Sequence, residues 1–215
     1  METPSNIVAY DFGFNDFPGR YAMTLYFRGC QLRCPFCHNQ AIVDASPEHS
    51  IDVPHLAEAY DAMQKTMPNQ HIGLVLSGGE PIRKGGVHRE TMKDLMDAFN
   101  WVPLCVHTNG LARAGGLIPT NLEYVVLGLK TVDCMPDANF EGYYIERVLS
   151  ALDKYSRICS GEIRKVRTES LTARSTYIPG RDAIEQKART VGWNSTVVDD
   201  TKRKQKEDWY GDSGN

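Results

Sequence analysis

Apolar positions along this chain alternate between two spacings, short continuous runs and longer stretches in which they recur every three or four residues. Tyr21-Ala22-Met23-Thr24-Leu25-Tyr26-Phe27 is the first run, rich in aromatic and β-type residues and preceded by the turn-forming Asp16-Phe17-Pro18-Gly19. A helix is predicted over 54–67, where Leu56, Tyr60, Met63 and Met67 share one face, Asp52 can cap it and Pro54 suits the first turn. Ile72-Gly73-Leu74-Val75-Leu76 then reads as a strand buried on both faces. Met92, Leu95, Met96 and Phe99 mark a second helix, Pro103-Leu104-Cys105-Val106-His107 a third strand and Tyr124-Val125-Val126-Leu127-Gly128-Leu129 a fourth. A helix over 140–155, an extended stretch from Ile163 and another reaching Ile178, a short helix over 184–191 and a last strand at Thr196-Val197-Val198 complete the pattern.

Strands alternating with helices imply a parallel α/β sheet. Five or six units of about thirty residues are too few for a closed eight-unit barrel, which takes ~250 residues. An open, partial (β/α)6 barrel fits the length of 215 residues, with a doubly wound sheet as the alternative. The chain divides into a lead-in over 1–20, one domain over 21–199 and a charged tail over 200–215, where Lys202, Arg203, Lys204 and Lys206 face Glu207, Asp208 and Asp212.

Composition narrows the function classes. A net charge of −3 lacks the basic footprint of a nucleic-acid binder, and 41% hydrophobic with 24% charged residues is ordinary for a globular domain. No apolar run approaches the ~20 residues that span a bilayer, so no membrane partner is expected. Residues 1–20 lack the pattern of a signal peptide. The reading is a cytoplasmic protein, since three of its six cysteines crowd into one loop as a metal site would need in a reducing compartment.

That loop is Arg28-Gly29-Cys30-Gln31-Leu32-Arg33-Cys34-Pro35-Phe36-Cys37-His38-Asn39. Three thiolates suit a 4Fe–4S cluster with one iron left open to an exchangeable ligand. A zinc ion would need a fourth ligand, and none of Cys105, Cys134 and Cys159 stands at a paired spacing; a zinc-bound interaction module without catalysis stays open as a second reading. Cys105 reads as a buried strand thiol, and Cys134 and Cys159 as inert.

Each remaining motif follows a predicted strand: Gly78-Gly79-Glu80-Pro81, Thr108-Asn109-Gly110, Lys130 and Pro179-Gly180. Singly these are turns or solvated strand ends, but the carboxyl ends of parallel strands form one rim where ligands bind. Glycines let backbone approach a ligand, Glu80 can accept from an ammonium, and Lys130 or Arg174 can neutralise a carboxylate. An amino acid chelating the open iron would want those partners.

The cysteine loop with Gly-Gly-Glu-Pro resembles the radical S-adenosylmethionine superfamily. Gly29-Cys30, Cys37-His38-Asn39, Asp16-Phe17-Pro18-Gly19 and Thr108-Asn109-Gly110 are similar to the activating enzymes of glycyl-radical enzymes, including the anaerobic ribonucleotide reductase activators. The resemblance implies one 4Fe–4S cluster on Cys30, Cys34 and Cys37, with S-adenosylmethionine on the open iron. It implies Phe36 and His38 near the adenine, and Gly78, Gly79 and Glu80 at the methionine amine. Thr108, Asn109, Lys130 and Arg174 fall on the methionine and ribose side, with Ile178 against the adenine. The implied activity is reductive cleavage of S-adenosylmethionine, with an electron from a flavodoxin or ferredoxin, and radical formation on a glycine of a partner enzyme. Anaerobic ribonucleotide reductase is the first choice of partner, and a pyruvate formate-lyase-like enzyme the next.

The chain departs from that pattern at His107 and Gly128, where pyruvate formate-lyase-type activators carry acids that help hold a monovalent cation. Its electrostatic role would then fall to Lys130 or His107. The nearest rival is a small-molecule radical enzyme such as a 7-carboxy-7-deazaguanine synthase, a family that places Asp-Thr where this chain has His38-Asn39.

Overall fold

The computed structural model describes residues 5–35, 37–83, 89–112, 121–137, 139–158, 163–170 and 179–199. Strand β1 (Ile7–Gly13) pairs antiparallel with β2 (Ala22–Phe27). From β2 onward the sheet is parallel, through β3 (Gly73–Gly78), β4 (Leu104–Thr108), β5 (Leu122–Leu129), β6 (Ile163–Ser170) and β7 (Asn194–Asp199). Helices α1 (Gln40–Val43), α2 (Val53–Thr66), α3 (Arg89–Phe99), α4 (Phe140–Ile158) and α5 (Arg181–Thr190) lie in the crossovers; among the described residues only the β4–β5 crossover shows no helix.

Strand order in the sheet follows chain order, β1 to β7. A doubly wound sheet would reverse its order at a switch point. This one does not, and it does not close, so the architecture is the open, partial (β/α)6 barrel. Among the described residues no helix is long and apolar enough to cross a membrane.

Local sequence explains the elements. Asp52 caps α2 by accepting the His55 N–H at 2.9 Å, Pro54 takes its first turn, and Val53, Leu56 and Tyr60 form its buried stripe. Leu74 and Leu76 of β3 join the large core beneath the helices, whereas Val75 packs with Phe17, Ala22, Cys105, Tyr124 and Val126 in a separate cluster. Both faces of the central strands are therefore covered, as their unbroken apolar runs require.

The Asp16-Phe17-Pro18-Gly19 loop covers that second face. Its Phe17 ring fits against Gly73, where a Cβ would stand 2.6 Å away. The Asp16 carboxylate accepts the Thr24 hydroxyl at 3.1 Å, and the Asp16 carbonyl accepts His107 Nε2–H at 2.9 Å. β1 lies inside the segment read from sequence as lead-in. It is an edge strand, half-buried beyond Ile7, and so lacks a strong hydrophobic signal.

Candidate cofactor site

The cysteine loop runs between β2 and α1, with Cys30, Cys34 and Cys37 all half-buried and free of disulfides. Cys37 N–H donates to the Cys34 carbonyl at 3.1 Å, a tight turn between two of the thiols. Burial pushes the Cys30 thiol up to about 11; the Leu32 N–H and Lys130 oppose this, while Glu80 and Cys34 add to it. Among the described residues no three His, Cys, Asp or Glu side chains gather as ligands of a single ion.

The ends of β3 and β4 meet the loop. Gly79 N–H donates to the Phe27 carbonyl at 2.7 Å, and Glu80 N–H to the Gly29 carbonyl at 2.9 Å. A Cβ on Gly79 would stand 2.1 Å from the Gly29 oxygen, so only glycine lets the turn press this closely. Gly78 adopts φ +97°, and its carbonyl accepts the Asn39 side-chain amide at 3.0 Å, stapling both ends of the cysteine loop to the end of β3. From the end of β4, Asn109 Nδ2 reaches Cys30 Sγ at 3.7 Å, and its Oδ1 accepts Gln31 Nε2–H at 3.1 Å.

Glu80 has no exposed surface. Its Oε1 accepts the Thr108 hydroxyl at 2.7 Å and Ile82 N–H at 3.0 Å, and its Oε2 accepts Asn109 N–H at 2.7 Å. Burial nevertheless raises its pKa to about 7, against the pull of those three donors and Lys130. The carboxylate expected to meet an ammonium thus spends most of its accepting capacity tying β3 to β4. A different acceptor lies beside it: Gln31 Oε1 is buried and meets no donor in the described structure.

Lys130 follows β5, and its backbone N–H donates to Tyr144 Oη of α4 at 2.7 Å. Its Nζ lies 3.4 Å from where a Gly128 Cβ would stand, an ordinary contact distance, so the ammonium lies alongside Gly128. His107, the other candidate for that electrostatic role, is tied to the Asp16 loop. His38 sits exposed on the turn before α1. Phe36, Arg174, Ile178 and Cys159 lie outside the described residues.

Several participants were not legible. Gln31, Asn39 and Tyr144 carry no motif of their own. Cys134, read as inert, lies buried in the 3-10 turn Val132–Cys134, its Sγ 3.6 Å from the Thr131 hydroxyl.

The residues present fit a cluster and S-adenosylmethionine. Three thiols share one loop, the glycine turn leaves backbone where a side chain would intrude, an unpaired buried acceptor suits an ammonium, and Lys130 supplies a cation.

Parts of the chain are similar to known proteins. A family described as a 4Fe-4S single cluster domain matches residues 18–111. The chain is 28% identical over 143 residues to the pyruvate formate-lyase 1-activating enzyme of Escherichia coli (strain K12), covering 64% of this chain and 56% of that one. It is 24% identical over 120 residues to the 7-carboxy-7-deazaguanine synthase of Geobacter sulfurreducens, covering 48% and 47%. The match thus spans about half the length of these curated relatives. The crystal structure of QueE from Escherichia coli superposes with a TM-score of 0.43 and 13% identity, over 91% of this chain and 93% of that one. On the three-thiol loop, the Gly-Gly-Glu turn locked against it and the cluster-domain match over residues 18–111, the chain resembles the radical S-adenosylmethionine superfamily.

Proposed function

We propose that this chain activates a glycyl-radical enzyme. Its partner would be an anaerobic ribonucleotide reductase or a pyruvate formate-lyase-like enzyme, and its electron donor a flavodoxin or ferredoxin. The observation that carries this reading is the longer and closer match to the pyruvate formate-lyase 1-activating enzyme, 143 residues at 28% against 120 at 24% for the deazaguanine synthase. The His38-Asn39 pair supports it, because Asn39 has structural work to do: its amide holds the loop to Gly78.

When bound, the cluster and S-adenosylmethionine supply the electron transfer and the radical chemistry. The chain's residues do the positioning. Cys30, Cys34 and Cys37 would hold the cluster as thiolates, and Lys130 lowers the cost of ionising the buried Cys30. Asn109 holds Cys30 in place from the end of β4. Gln31 Oε1 would accept from the methionine ammonium, and Lys130 would face the carboxylate. Glu80 organises the rim by fixing Thr108 and Asn109. No side-chain general base is nominated, because removal of a hydrogen atom needs none.

Anaerobic reconstitution with iron and sulfide is expected to give a brown, cluster-bearing protein that cleaves S-adenosylmethionine reductively. Cys34→Ala should abolish that cleavage. Mixing the active protein with a glycyl-radical partner should give a glycyl signal by electron paramagnetic resonance. The second reading rests on the deazaguanine synthase match; formation of 7-carboxy-7-deazaguanine, with no signal on any glycyl-radical partner, would replace the activator reading.

A further inference from the structure

Asn109, the residue after β4, is held through backbone and side chain alike. It is 5% exposed, and its backbone N–H donates to Glu80 Oε2 at 2.7 Å. Its side-chain oxygen Oδ1 accepts the Leu111 backbone N–H at 3.0 Å and Gln31 Nε2–H at 3.1 Å. A backbone N–H can only donate, so Leu111 fixes which way round the amide sits. Oδ1 faces Leu111, and Nδ2 is left facing Cys30 Sγ at 3.7 Å, where an amide nitrogen can only donate. The Leu32 N–H meets the same sulfur at 3.4 Å. Cys30 therefore stands between two donors, one from its own loop and one 79 positions further along the chain.

A sulfur that ligates a cluster carries negative charge, and a hydrogen bond donated to it is charge-assisted. Reduction adds an electron to the cluster and its ligand sulfurs. A donor aimed at such a sulfur therefore stabilises the reduced state more than the oxidised one and raises the potential. We propose that Asn109 is a positioning residue that acts through Cys30, its fixed amide donating to the ligand sulfur and making the cluster easier to reduce. The proposal rests on the reading of Cys30, Cys34 and Cys37 as cluster ligands. It gives Asn109 a task distinct from the methionine and ribose side to which the resemblance assigns it.

The test is a redox titration of the reconstituted full chain, without S-adenosylmethionine, in wild type, Asn109→Ala, Asn109→Asp and Gln31→Ala. Iron and sulfide contents should match wild type in all three variants. Asn109→Ala should shift the midpoint negative, by about tenfold in the reduction equilibrium, or ~59 mV for a one-electron couple. Asn109→Asp keeps the shape and the oxygen that meets Leu111 but replaces the donor with a carboxylate oxygen, so it should shift at least as far. Gln31→Ala disturbs the same loop but leaves Leu111 to orient the amide, and should shift less. A second measurement needs no variant: pulsed electron paramagnetic resonance on the reduced wild-type chain, its asparagine side chains labelled with 15N, should show a 15N nucleus coupled to the cluster. No such coupling, an unmoved potential in Asn109→Ala, or an equal shift in Gln31→Ala overturns the proposal while leaving the cluster reading intact. Loss of iron from both Asn109 variants would make the residue a structural support alone and also overturn it. A wild-type chain that takes up no cluster would overturn the underlying reading and this inference with it.

Discussion

Glu80 shows how one buried side chain can tie two strand ends together. Its carboxylate bridges the Gly-Gly-Glu turn and the end of β4, and it is fully buried. In the unfolded chain its pKa returns to about 4.5, whereas burial holds it at about 7 in the folded one. Between those values the folded protein keeps a proton that the unfolded chain has released, so this group's contribution to stability falls as pH rises and levels off above pH 7. The loss amounts to about 3 kcal/mol over the window. Glu80→Gln removes the titration, and its amide confronts one of three donors, at a cost of about 1–3 kcal/mol. Urea midpoints should therefore place wild type above the variant at pH 5, with the gap narrowing towards pH 7. A constant gap would mean that Glu80 is ionised throughout.

At the scale of elements, the site depends on how strand ends are held. The end of β5 is held by α4 through Tyr144, whose hydroxyl accepts the Lys130 N–H and whose ring is wholly buried. Tyr144→Phe keeps the packing and leaves that donor without its partner. It should cost about 1–2 kcal/mol by urea denaturation. With Lys130 facing the S-adenosylmethionine carboxylate as proposed, the same variant should weaken S-adenosylmethionine binding in a calorimetric titration. A variant destabilised yet unchanged in binding would separate the strand end from the ligand.

The whole molecule works as an unclosed barrel whose second face has its own small core. Phe17, 3% exposed, anchors the loop over that face against Gly73 and Tyr124. The Arg20–Glu123 ion pair at 3.2 Å lies beside it, but it is partly exposed and contributes little. Phe17→Ala is expected to lower stability by about 3–5 kcal/mol in urea melts, as loss of a buried aromatic does, whereas Arg20→Ala should move them by under about 1 kcal/mol. Equal effects would mean that charge, not packing, holds the loop.

The order of residues determined most of the local structure by itself. The runs at β2 to β5 and the stripes of α2 to α4 appear within one to three residues of their predicted bounds, because apolar periodicity and the Asp52 cap act over a few neighbours. The three-thiol loop was equally legible, since Cys30, Cys34 and Cys37 lie within eight positions of one another. The edge strand β1 was not, because half its surface faces away from any core and its signal is weak. Which side chains meet across the rim was decided only by the tertiary structure. Gln31 against Asn109 and Glu80 turned inward to Thr108 join residues dozens of positions apart. Spacing along a chain carries no information about such pairs; strand register and the turns beyond each strand bring them into contact.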